Sequence, residues 1–378
     1  MTMTEETIDA FAPPPAPSGA RVSLYDLLPE ELEAWLVARG QPAFRASQIY
    51  RGIYGRFAES AVGIAGVPKA LGALLDAQLP LGILTEVSVL ASTDGRTTKR
   101  LYQTPDGRLI EGVLMHYRDR STACISSQVG CGYGCTFCAT GKMGLERNLS
   151  AGEIVAQVVS LARVSQQEGS PLTNIVFMGM GEPLANYDQV MRAIAILNEP
   201  QCLKFGARRI TVSTVGLAPR IRRLAEEPWQ VNLAVSLHQT TDVARSALMP
   251  VNTHFPIAEL LDAVRFYIAK THRRVSFEYA LMAGVNDTEA VANELARLLR
   301  GLLCHVNLIP LNPVAEAVGP DGVLLARPSK ERAEAFAAML VAKGIPASVR
   351  YSRGTDIAAG CGQLRAETAR GARSPEAA

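Results

Sequence analysis

After Thr122, short β-rich segments alternate with helical segments, and this alternation constrains the fold more than any other feature of the chain. The predicted strands cover residues 123–126, 174–178, 209–213, 231–236, 275–281, 305–309 and 348–351. The predicted helices between them cover residues 150–164, 187–197, 218–224, 287–303 and 329–344. Such alternation implies a mostly parallel sheet with right-handed crossovers. With about six strand–helix units, the sequence predicts an α/β fold with a partial or complete β/α barrel as its core.

The segment before this alternation has a different organisation. Between residues 22 and 80, apolar residues recur at three- and four-residue spacing, which predicts helices, and Gly40 ends the first of them. Residues 84–115 predict three strands, with a turn at residues 105–107. We therefore expect four regions. They are a disordered tail at 1–20, a small helical accessory domain with short strands at 21–105, the barrel at 106–364 and a flexible tail at 365–378.

Composition narrows the class of protein. The 378 residues are 48% apolar and 20% charged, which is enough to fill one large core and a smaller one. Seven cysteines in a chain of this length do not suggest a secreted disulfide scaffold, and free thiols fit a reducing compartment. The N-terminus is acidic and proline-rich, unlike a signal peptide, and no apolar run reaches the roughly 18 residues that span a bilayer. We expect a cytoplasmic protein with no membrane partner.

Cys131, Cys135 and Cys138 form a triplet with C-x3-C-x2-C spacing inside the stretch CGYGCTFCATGKMG. Structural zinc takes four protein ligands, usually as two separated pairs. A 4Fe–4S cluster takes one cysteine thiolate per iron, so three thiolates leave one iron open to a small molecule. Half of a zinc site, or three small buried hydrophobic residues, are the alternative interpretations. The neighbouring residues favour the cluster.

Glycines and mostly polar residues follow several predicted strands at the point where each strand ends. They are Gly181, Glu182, Ser213, Ser236, Leu237, His238 and Asn312. In β/α barrels, functional groups gather just past the carboxyl ends of the strands. Any one of these residues could be an ordinary turn, cap or surface residue, but their shared position favours a ligand site. Glycine allows close backbone approach, the carboxylate can pair with an ammonium group, and the other polar groups can hydrogen-bond a ribose or carboxylate. S-adenosylmethionine (SAM) carries all of these groups.

Two more thiols and one carboxylate lie in distinctive settings. Cys124 lies on the first predicted barrel strand, and Cys361 lies between two glycines near the end of the chain. Flanking glycines suit a reactive thiol on a mobile loop, although a tight turn gives the same pattern. Glu111 lies in an apolar strand; it is unremarkable if it faces solvent, whereas an inward-facing carboxylate would have a raised pKa and suit proton transfer. Cys202 and Cys304 have no comparable context, and we interpret both as structural.

Together these motifs resemble the RlmN/Cfr family of radical SAM RNA methyltransferases. The matching segments are CISSQVGCGYGCTFCATGKMG, FMGMGEPL, RRITVST, SLH, LMPVN, GVND, NLIPLNP and DIAAGCGQL, in the family's order and approximate spacing. The resemblance runs from about Leu24 to Leu364. The SQVGC form and the full N-terminal helical domain are more similar to RlmN than to Cfr. The resemblance implies a radical SAM partial barrel with one 4Fe–4S cluster on the cysteine triplet.

The resemblance also implies a reaction in which two SAM molecules are used per turnover. Adenine carbon 2 is not nucleophilic, so the family first methylates a mobile cysteine, which here is Cys361. A second SAM, held by the cluster, yields a 5′-deoxyadenosyl radical that removes hydrogen from this methyl group, and the methylene radical adds to the base. Cys124 corresponds to the thiol that resolves the protein–RNA crosslink, leaving a disulfide with Cys361, and Glu111 corresponds to the proton acceptor. The family's SAM contacts correspond to Gly181, Glu182, Ser213, Ser236, Leu237, His238 and Asn312.

The implied partners are RNAs and an electron donor such as a flavodoxin system, and we expect a monomer. The implied substrates are an adenosine at the peptidyl-transferase centre of 23S rRNA and, in bacteria, the adenosine 3′ of certain tRNA anticodons; either base must be flipped out of its stack.

The net charge of +2 says little about such partners. Residues 44–57 interleave arginines with tyrosines, which suits RNA binding or surface arginines over an aromatic core. A basic run at residues 204–223 is consistent with RNA binding or with a solvated surface. Its cations are Lys204, Arg208, Arg209, Arg220, Arg222 and Arg223.

Three residues depart from the family's usual pattern, and three alternative functions stay open. Ala358 and Gly360 replace an aspartate and an alanine, and Leu311 stands before Asn312; we expect altered loop mobility and packing rather than lost chemistry. One alternative is a Cfr-like carbon 8 methyltransferase. Another is a different radical SAM reaction such as glycyl-radical activation, which has no use for the two outlying thiols. The third is a non-catalytic RNA-binding protein with a structural metal.

Overall fold

The structure, a computed structural model, describes residues 22–314, 317–319 and 322–366. The predicted tail at 1–20 lies outside the described residues, as do residues 367–378 of the predicted C-terminal tail. Within the described residues, no helix is both long and apolar enough to cross a membrane.

Short helices form the N-terminal part, as the apolar spacing predicts. They are α1 (Pro29–Val37), α2 (Arg45–Tyr50) and α3 (Lys69–Gln78). The first predicted helix is split into a 3₁₀ turn at Leu24–Asp26 and α1, because Pro29 can begin a helix but cannot continue one. Gly40, at φ +69°, ends the turn after α1. The side chain of Asp26 accepts a 2.5 Å hydrogen bond from the Gly152 N–H, which docks this segment on the rest of the molecule.

Three antiparallel strands follow, at the positions that the sequence predicts. They are β1 (Thr85–Ala91), β2 (Thr97–Gln103) and β3 (Leu109–His116). Strand β3 also pairs antiparallel with β4 (Ser121–Cys124), with Val113 opposite Cys124, so these strands continue the sheet of the barrel. The predicted domain boundary at residue 105 falls in the turn between β2 and β3. The division of the chain into domains stays a prediction.

The parallel part of the sheet runs from β4 through six more strands. They are β7 (Asn174–Phe177), β8 (Ile210–Thr214), β9 (Asn232–Ser236), β10 (Val275–Leu281), β11 (Cys304–Pro310) and β12 (Ala347–Val349). The ten strands pair in the order β1-β2-β3-β4-β7-β8-β9-β10-β11-β12. Within the described residues, β1 and β12 are the two edges and do not pair with each other. The predicted α/β fold with a large parallel sheet is confirmed.

The connections contain the predicted helices and several elements that the sequence did not reveal. The helices are α4 (Ala139–Lys142), α5 (Ala151–Gln167), α6 (Tyr187–Asn198), α7 (Ala218–Ala225), α8 (Asp242–Leu248), α9 (Ile257–Thr271), α10 (Glu289–Leu299) and α11 (Lys330–Ala342). The capping box predicted at Ser150 and Glu153 begins α5. Helix α9 was not predicted, although Ile257, Leu260 and Leu261 give it an apolar stripe of helical spacing. A small hairpin of β5 (Gln128–Cys131) and β6 (Gly144–Asn148) was also missed, and it flanks the cysteine triplet.

After β12, residues 350–364 cross from one edge of the sheet toward the other. The side chain of Asp356 accepts a hydrogen bond of 2.8 Å from the Thr93 N–H, and Arg353 forms an ion pair of 3.3 Å with Asp94. Lys99 of β2 donates to the Ala358 carbonyl at 3.3 Å. This segment therefore bridges the ends of the curved sheet and brings Cys361 into its interior.

Candidate active site

A cavity of about 160 Å³ lies at the carboxyl ends of the parallel strands, and we call it the cysteine cavity. It brings together the predicted metal ligands, most of the predicted SAM contacts and one of the two outlying thiols, Cys361. These lining residues are Cys131, Cys135, Cys138, Gly181, Glu182, Ser213, Ser236, His238, Asn312 and Cys361. They come from loops that follow successive strands, so the parallel sheet collects side chains that are far apart in the sequence.

Leu237 is the predicted SAM contact that does not line this cavity. Its side chain is fully buried. Its backbone N–H donates to the Glu278 carbonyl at 3.0 Å, and its own carbonyl accepts from Arg245 at 3.1 Å. Leu237 therefore fixes the loop after β9 rather than presenting a side chain to the cavity.

Arg245 supports the cavity from beneath and was missed in the sequence. The side chain is fully buried on α8, and its guanidinium donates to the carbonyls of Val215 (2.6 Å), Ser236 (3.0 Å) and Leu237, as well as to Asn252 Oδ1 (2.8 Å). These bonds tie together the segments after β8 and β9. The nearby motif LMPVN, which contains Asn252, was a signal that could have led to it.

The cysteine triplet begins at the last residue of β5, ends just before α4 and supplies three thiols to one cavity. Burial raises the pKa of Cys131 to about 12 and raises the pKa of Cys135 and Cys138, and the nearby Cys138 thiol adds to the rise at Cys131 and Cys135. Among the residues described, no three His, Cys, Asp or Glu side chains are grouped so that they could hold a metal ion. Each thiolate of a 4Fe–4S cluster binds a different iron, so the triplet need not converge on one ion. The donor set fits the cluster.

Gly181 and Glu182 form the part of the cavity beside β7. Gly181 has φ +100°, and a Cβ at this position would lie 2.6 Å from the Gln128 Cβ, so glycine is required there. The carboxylate of Glu182 accepts hydrogen bonds from the N–H groups of Val215 (2.7 Å) and Leu184 (3.0 Å). Burial raises its pKa to about 7. A cation beside this carboxylate would favour its ionised form, which suits the ammonium of SAM.

His238 and Asn312 present hydrogen-bonding groups to the same cavity. His238 Nδ1 accepts a 2.8 Å bond from the Ala280 N–H, and burial lowers the pKa of the imidazole to about 3. The ring is therefore neutral with its proton on Nε2, a donor for a ligand. Asn312 donates to Ser352 Oγ (2.8 Å) and the Cys361 carbonyl (2.9 Å), whereas its buried Oδ1 has no hydrogen-bond partner in the described part of the chain. An orphaned acceptor of this kind fits a ligand N–H.

The Cys361 loop is docked directly on the cysteine triplet. The Ala139 N–H donates to the Gly362 carbonyl at 2.7 Å, and Thr140 Oγ1 donates to the Leu364 carbonyl at 2.6 Å. The Cys361 side chain is solvent-accessible, but it faces cavities inside the curved sheet rather than the outer surface. Its surroundings raise the pKa of the thiol to about 11, with burial as the main cause and Glu278 as the second.

A second cavity, of about 620 Å³, opens at the amino ends of the same strands. We call it the basic cavity after the arginines that line it, Arg120, Arg273, Arg274, Arg350 and Arg353. Cys124 and Cys361 both line it, and Cys361 is close enough to contribute to the raised pKa of Cys124. The two outlying thiols of the sequence are thus brought together where the two cavities meet.

Glu278 and Glu111 are two buried carboxylates near this junction, and the sequence singled out only Glu111. Glu278 lines both cavities and accepts a 2.7 Å bond from Asn307 Nδ2, and burial raises its pKa. Glu111 faces inward, as one of its two interpretations requires, but it forms a 2.9 Å ion pair with Lys99 and lines neither cavity. The Arg365 N–H donates to its other oxygen at 2.9 Å. The signal for Glu278 was the same as for Glu111, a lone acid in an apolar strand.

Comparisons with known proteins show the family to which the chain belongs. The model of the Radical SAM superfamily matches residues 125–295, and the fold and the cysteine cavity define a radical SAM enzyme. The probable dual-specificity RNA methyltransferase RlmN of Chloroflexus aurantiacus is 49% identical and covers 90% of this chain and 92% of its own. The ribosomal RNA large subunit methyltransferase N of Nitrosopumilus maritimus is 44% identical, with 91% and 98% covered. The chain belongs to the RlmN family of radical SAM RNA methyltransferases, whose cofactors are a 4Fe–4S cluster and SAM.

A solved structure is similar over nearly the whole chain. The crystal structure of a radical SAM methyltransferase from Sphaerobacter thermophilus is 56% identical, with a TM-score of 0.89. The match covers 92% of this chain and 100% of that chain. The expected family and its fold are therefore confirmed.

Proposed function

We propose that this protein methylates carbon 2 of an adenosine in 23S rRNA, and of the adenosine 3′ of the anticodon in some tRNAs, with Cys361 as the carrier of the methyl group. The observation that carries the proposal is the position of Cys361 at the junction of two cavities. One contains the cysteine triplet, and the other is larger, is lined by arginines and contains Cys124. A thiol at this junction can receive a group on one side and deliver it on the other.

The residues of the cysteine cavity hold the cofactors in this proposal. The triplet Cys131, Cys135 and Cys138 holds the cluster, and when bound, the cluster and SAM supply the methyl group and a hydrogen-abstracting radical. Glu182 pairs with the ammonium of SAM, since its carboxylate is buried and has no ion-pair partner among the described residues. His238 Nε2 donates and Asn312 Oδ1 accepts, each fixed by the bonds on its other atom. Gly181, Ser213 and Ser236 shape the rest of the pocket, and Leu237 fixes the loop after β9.

The two outlying thiols have different roles: Cys361 carries the methyl group, and Cys124 releases the product from Cys361. Cys361 sulfur gains a methyl group and loses its proton, and its methylene radical later forms a carbon–carbon bond with the base. The adduct then gives up the proton on carbon 2 and one electron, for which the cluster would be the acceptor. The sulfur of Cys124 then attacks the sulfur of Cys361, so that an S–S bond forms as the sulfur–methylene bond breaks. The released carbon takes up a proton and becomes the methyl group of the product. An external reductant must reduce the Cys124–Cys361 disulfide before the next turnover.

Glu111 accepts the proton that the base loses. Its carboxylate pairs with Lys99 at 2.9 Å, and the same Lys99 donates to the Ala358 carbonyl of the Cys361 loop. Since Glu111 lines neither cavity, this role requires the loop to move. We further propose that two SAM molecules are used per methylated base, that a small donor such as a flavodoxin system supplies the electrons, that the enzyme acts as a monomer, and that the accessory domain at 21–105 contributes to RNA binding.

Mass spectrometry tests this function by measuring methylation of Cys361 in the protein and of adenosine in the RNA. Protein purified from cells should carry a methyl group on Cys361, and the reconstituted enzyme should convert adenosine in 23S rRNA to 2-methyladenosine. Cys124→Ala should accumulate RNA that is covalently linked to the protein. A product methylated at carbon 8 would replace the proposal with the Cfr-like alternative. An unmodified Cys361 in protein that has an active cluster would contradict the carrier mechanism.

A further inference from the structure

The interior of the sheet is polar at the amino ends of the strands. Its side chains there are hydroxyls and amides, from Thr122, Asn174, Thr211, Asn232, Ser276 and Asn307. The interior of a β/α barrel is normally filled by layers of bulky apolar side chains. This layer therefore does not form packed core, and it lines a cavity of about 620 Å³ with groups that can hydrogen-bond a polar ligand.

Two of the cations at the opening of this cavity have no acidic partner in the described part of the chain. Arg274 and Arg350 are exposed, and neither forms an ion pair with any residue that the structure describes. Arg120 and Arg353 lie over the Tyr117 ring, 4.2 Å and 4.8 Å from its centroid, and they pair with Asp119 and Asp94. Cations that are free to bind phosphates, beside an aromatic ring that can stack with a base, are typical of sites for single-stranded nucleic acid.

The basic run of the sequence, residues 204–223, has a different environment. Arg222 forms an ion pair with Asp262, and Arg223 forms one of 2.7 Å with Asp188 while lying 4.0 Å over the Tyr187 ring. Arg208 donates to Gln230 at 2.7 Å. None of the six cations of this run lines the basic cavity. The charges of Arg222 and Arg223 are neutralised by these acids, which leaves this pair less suited to a polyanion and makes it a suitable control.

We propose that RNA binds at the opening of the basic cavity and inserts one unstacked nucleotide between the amino ends of the strands, reaching Cys361 from the side opposite the cysteine triplet. This inference rests on the proposed function and specifies where its substrate enters. At the other end of the strands, the cysteine loop and the Cys361 loop are joined through the Ala139–Gly362 bond. The amino-end opening leads to both thiols, and a polar interior with a tyrosine at its rim fits a nucleotide better than an acidic peptide.

The salt dependence of RNA binding tests the role of Arg274 and Arg350, which we call the rim of the basic cavity. Arg274→Ala/Arg350→Ala is compared with Arg222→Ala/Arg223→Ala, with a 23S rRNA fragment that contains the peptidyl-transferase loop as the probe. Removing two phosphate contacts should lower the slope of log K against log salt by about two and weaken binding roughly tenfold or more. The control pair should leave the slope unchanged. An unchanged slope in the rim variant, or a loss confined to the control pair, would overturn the proposal and leave the rim to another partner, such as an acidic protein.

A second variant tests insertion of the nucleotide rather than binding at the surface. Ser276→Phe places a ring in the basic cavity without changing the rim charges, and Ser88→Phe on the exposed strand β1 is its control. Ser276→Phe should retain RNA affinity and methylation of Cys361 in cells but lose RNA methylation at least tenfold. Normal RNA methylation by this variant would contradict insertion. If wild-type Cys361 carries no methyl group, the proposed function fails, and the salt slopes still decide where RNA binds.

Discussion

The two cavities that meet at Cys361 differ in how their polar groups are held. In the cysteine cavity, Glu182, His238 and Asn312 are each fixed by hydrogen bonds, two of them through backbone N–H groups. In the basic cavity, Arg274 and Arg350 are exposed and have no ion-pair partner within the described residues. The first arrangement is preorganised for a small ligand of fixed shape. The second stays solvated until a polyanion arrives, and Cys361 connects the two.

Cys361→Ser should have the largest effect, because this residue belongs to both cavities. We expect complete loss of RNA methylation, since a hydroxyl is a far weaker nucleophile than a thiol. Iron content and RNA affinity should stay normal, because neither cavity loses its other groups. The matched control is Cys202→Ser, which lies away from both cavities. Measurable RNA methylation by Cys361→Ser would contradict the role of Cys361 as the residue that connects the two cavities.

Arg245→Leu should damage the cysteine cavity and spare the rim of the basic cavity. It leaves the carbonyls of Val215, Ser236 and Leu237 without their buried donor. At about 1–3 kcal/mol per unsatisfied group, the loss of unfolding free energy in urea should exceed about 3 kcal/mol. Arg222→Leu removes an exposed ion pair and should cost below about 1 kcal/mol. Equal effects of the two substitutions would show that Arg245 does not hold the ends of β8 and β9.

Gly181→Ala should weaken SAM binding without changing RNA affinity. The positive φ is strained for alanine by about 1–3 kcal/mol, and the added Cβ would be 2.6 Å from the Gln128 Cβ. SAM affinity, measured by calorimetry on cluster-loaded protein, should fall roughly tenfold or more. Gly206→Ala is the control, since a Cβ there meets nothing within 4 Å. Weaker RNA binding by Gly181→Ala would contradict the hypothesis that the two cavities bind their ligands independently.

His238→Asn should change how stability depends on pH. Burial, helped by Arg245, lowers the pKa of His238 from 6.5 to about 3, so the unfolded chain binds a proton that the folded one does not. Stability conferred by the neutral ring is therefore lost as pH falls below 6.5, by about 2 kcal/mol at pH 5. Asparagine tolerates the φ of +58° and can still accept from the Ala280 N–H. The difference in stability between wild type and variant should shift in favour of the variant by that amount between pH 7.5 and pH 5; a difference that does not vary with pH would exclude this titration.

The departures in the Cys361 loop now have a structural setting. Ala358 has φ +51°, which a residue other than glycine adopts at some cost, and its carbonyl accepts from Lys99. A Cβ on Gly360 would lie 2.7 Å from Gln363 Oε1 and 2.9 Å from Asn312 Nδ2. Glycine at this position therefore lets the Asn312 amide pack against the loop. Altered mobility of the loop stays a prediction.

Local patterns in the sequence were sufficient for most elements. Apolar alternation placed β10 at residues 275–281, and the Ser150 capping box placed the start of α5. Helix α9 and the β5–β6 hairpin were missed, the first despite a clear stripe and the second because its strands are only four and five residues long. Short pairings of this kind depend on their partners more than on their own composition.

The sequence by itself determined the family, through motifs whose residue types and spacing are chemically specific. It identified the cysteine triplet, the two outlying thiols and the groups that follow each strand. Only the tertiary structure decided that Glu278 faces Cys361, that Glu111 is paired with Lys99 and that the cations of the basic run are partly neutralised. The basic cavity is built from residues between 115 and 364. The reason is that burial and pairing depend on which distant segments meet when the sheet curves, and no local pattern contains that information.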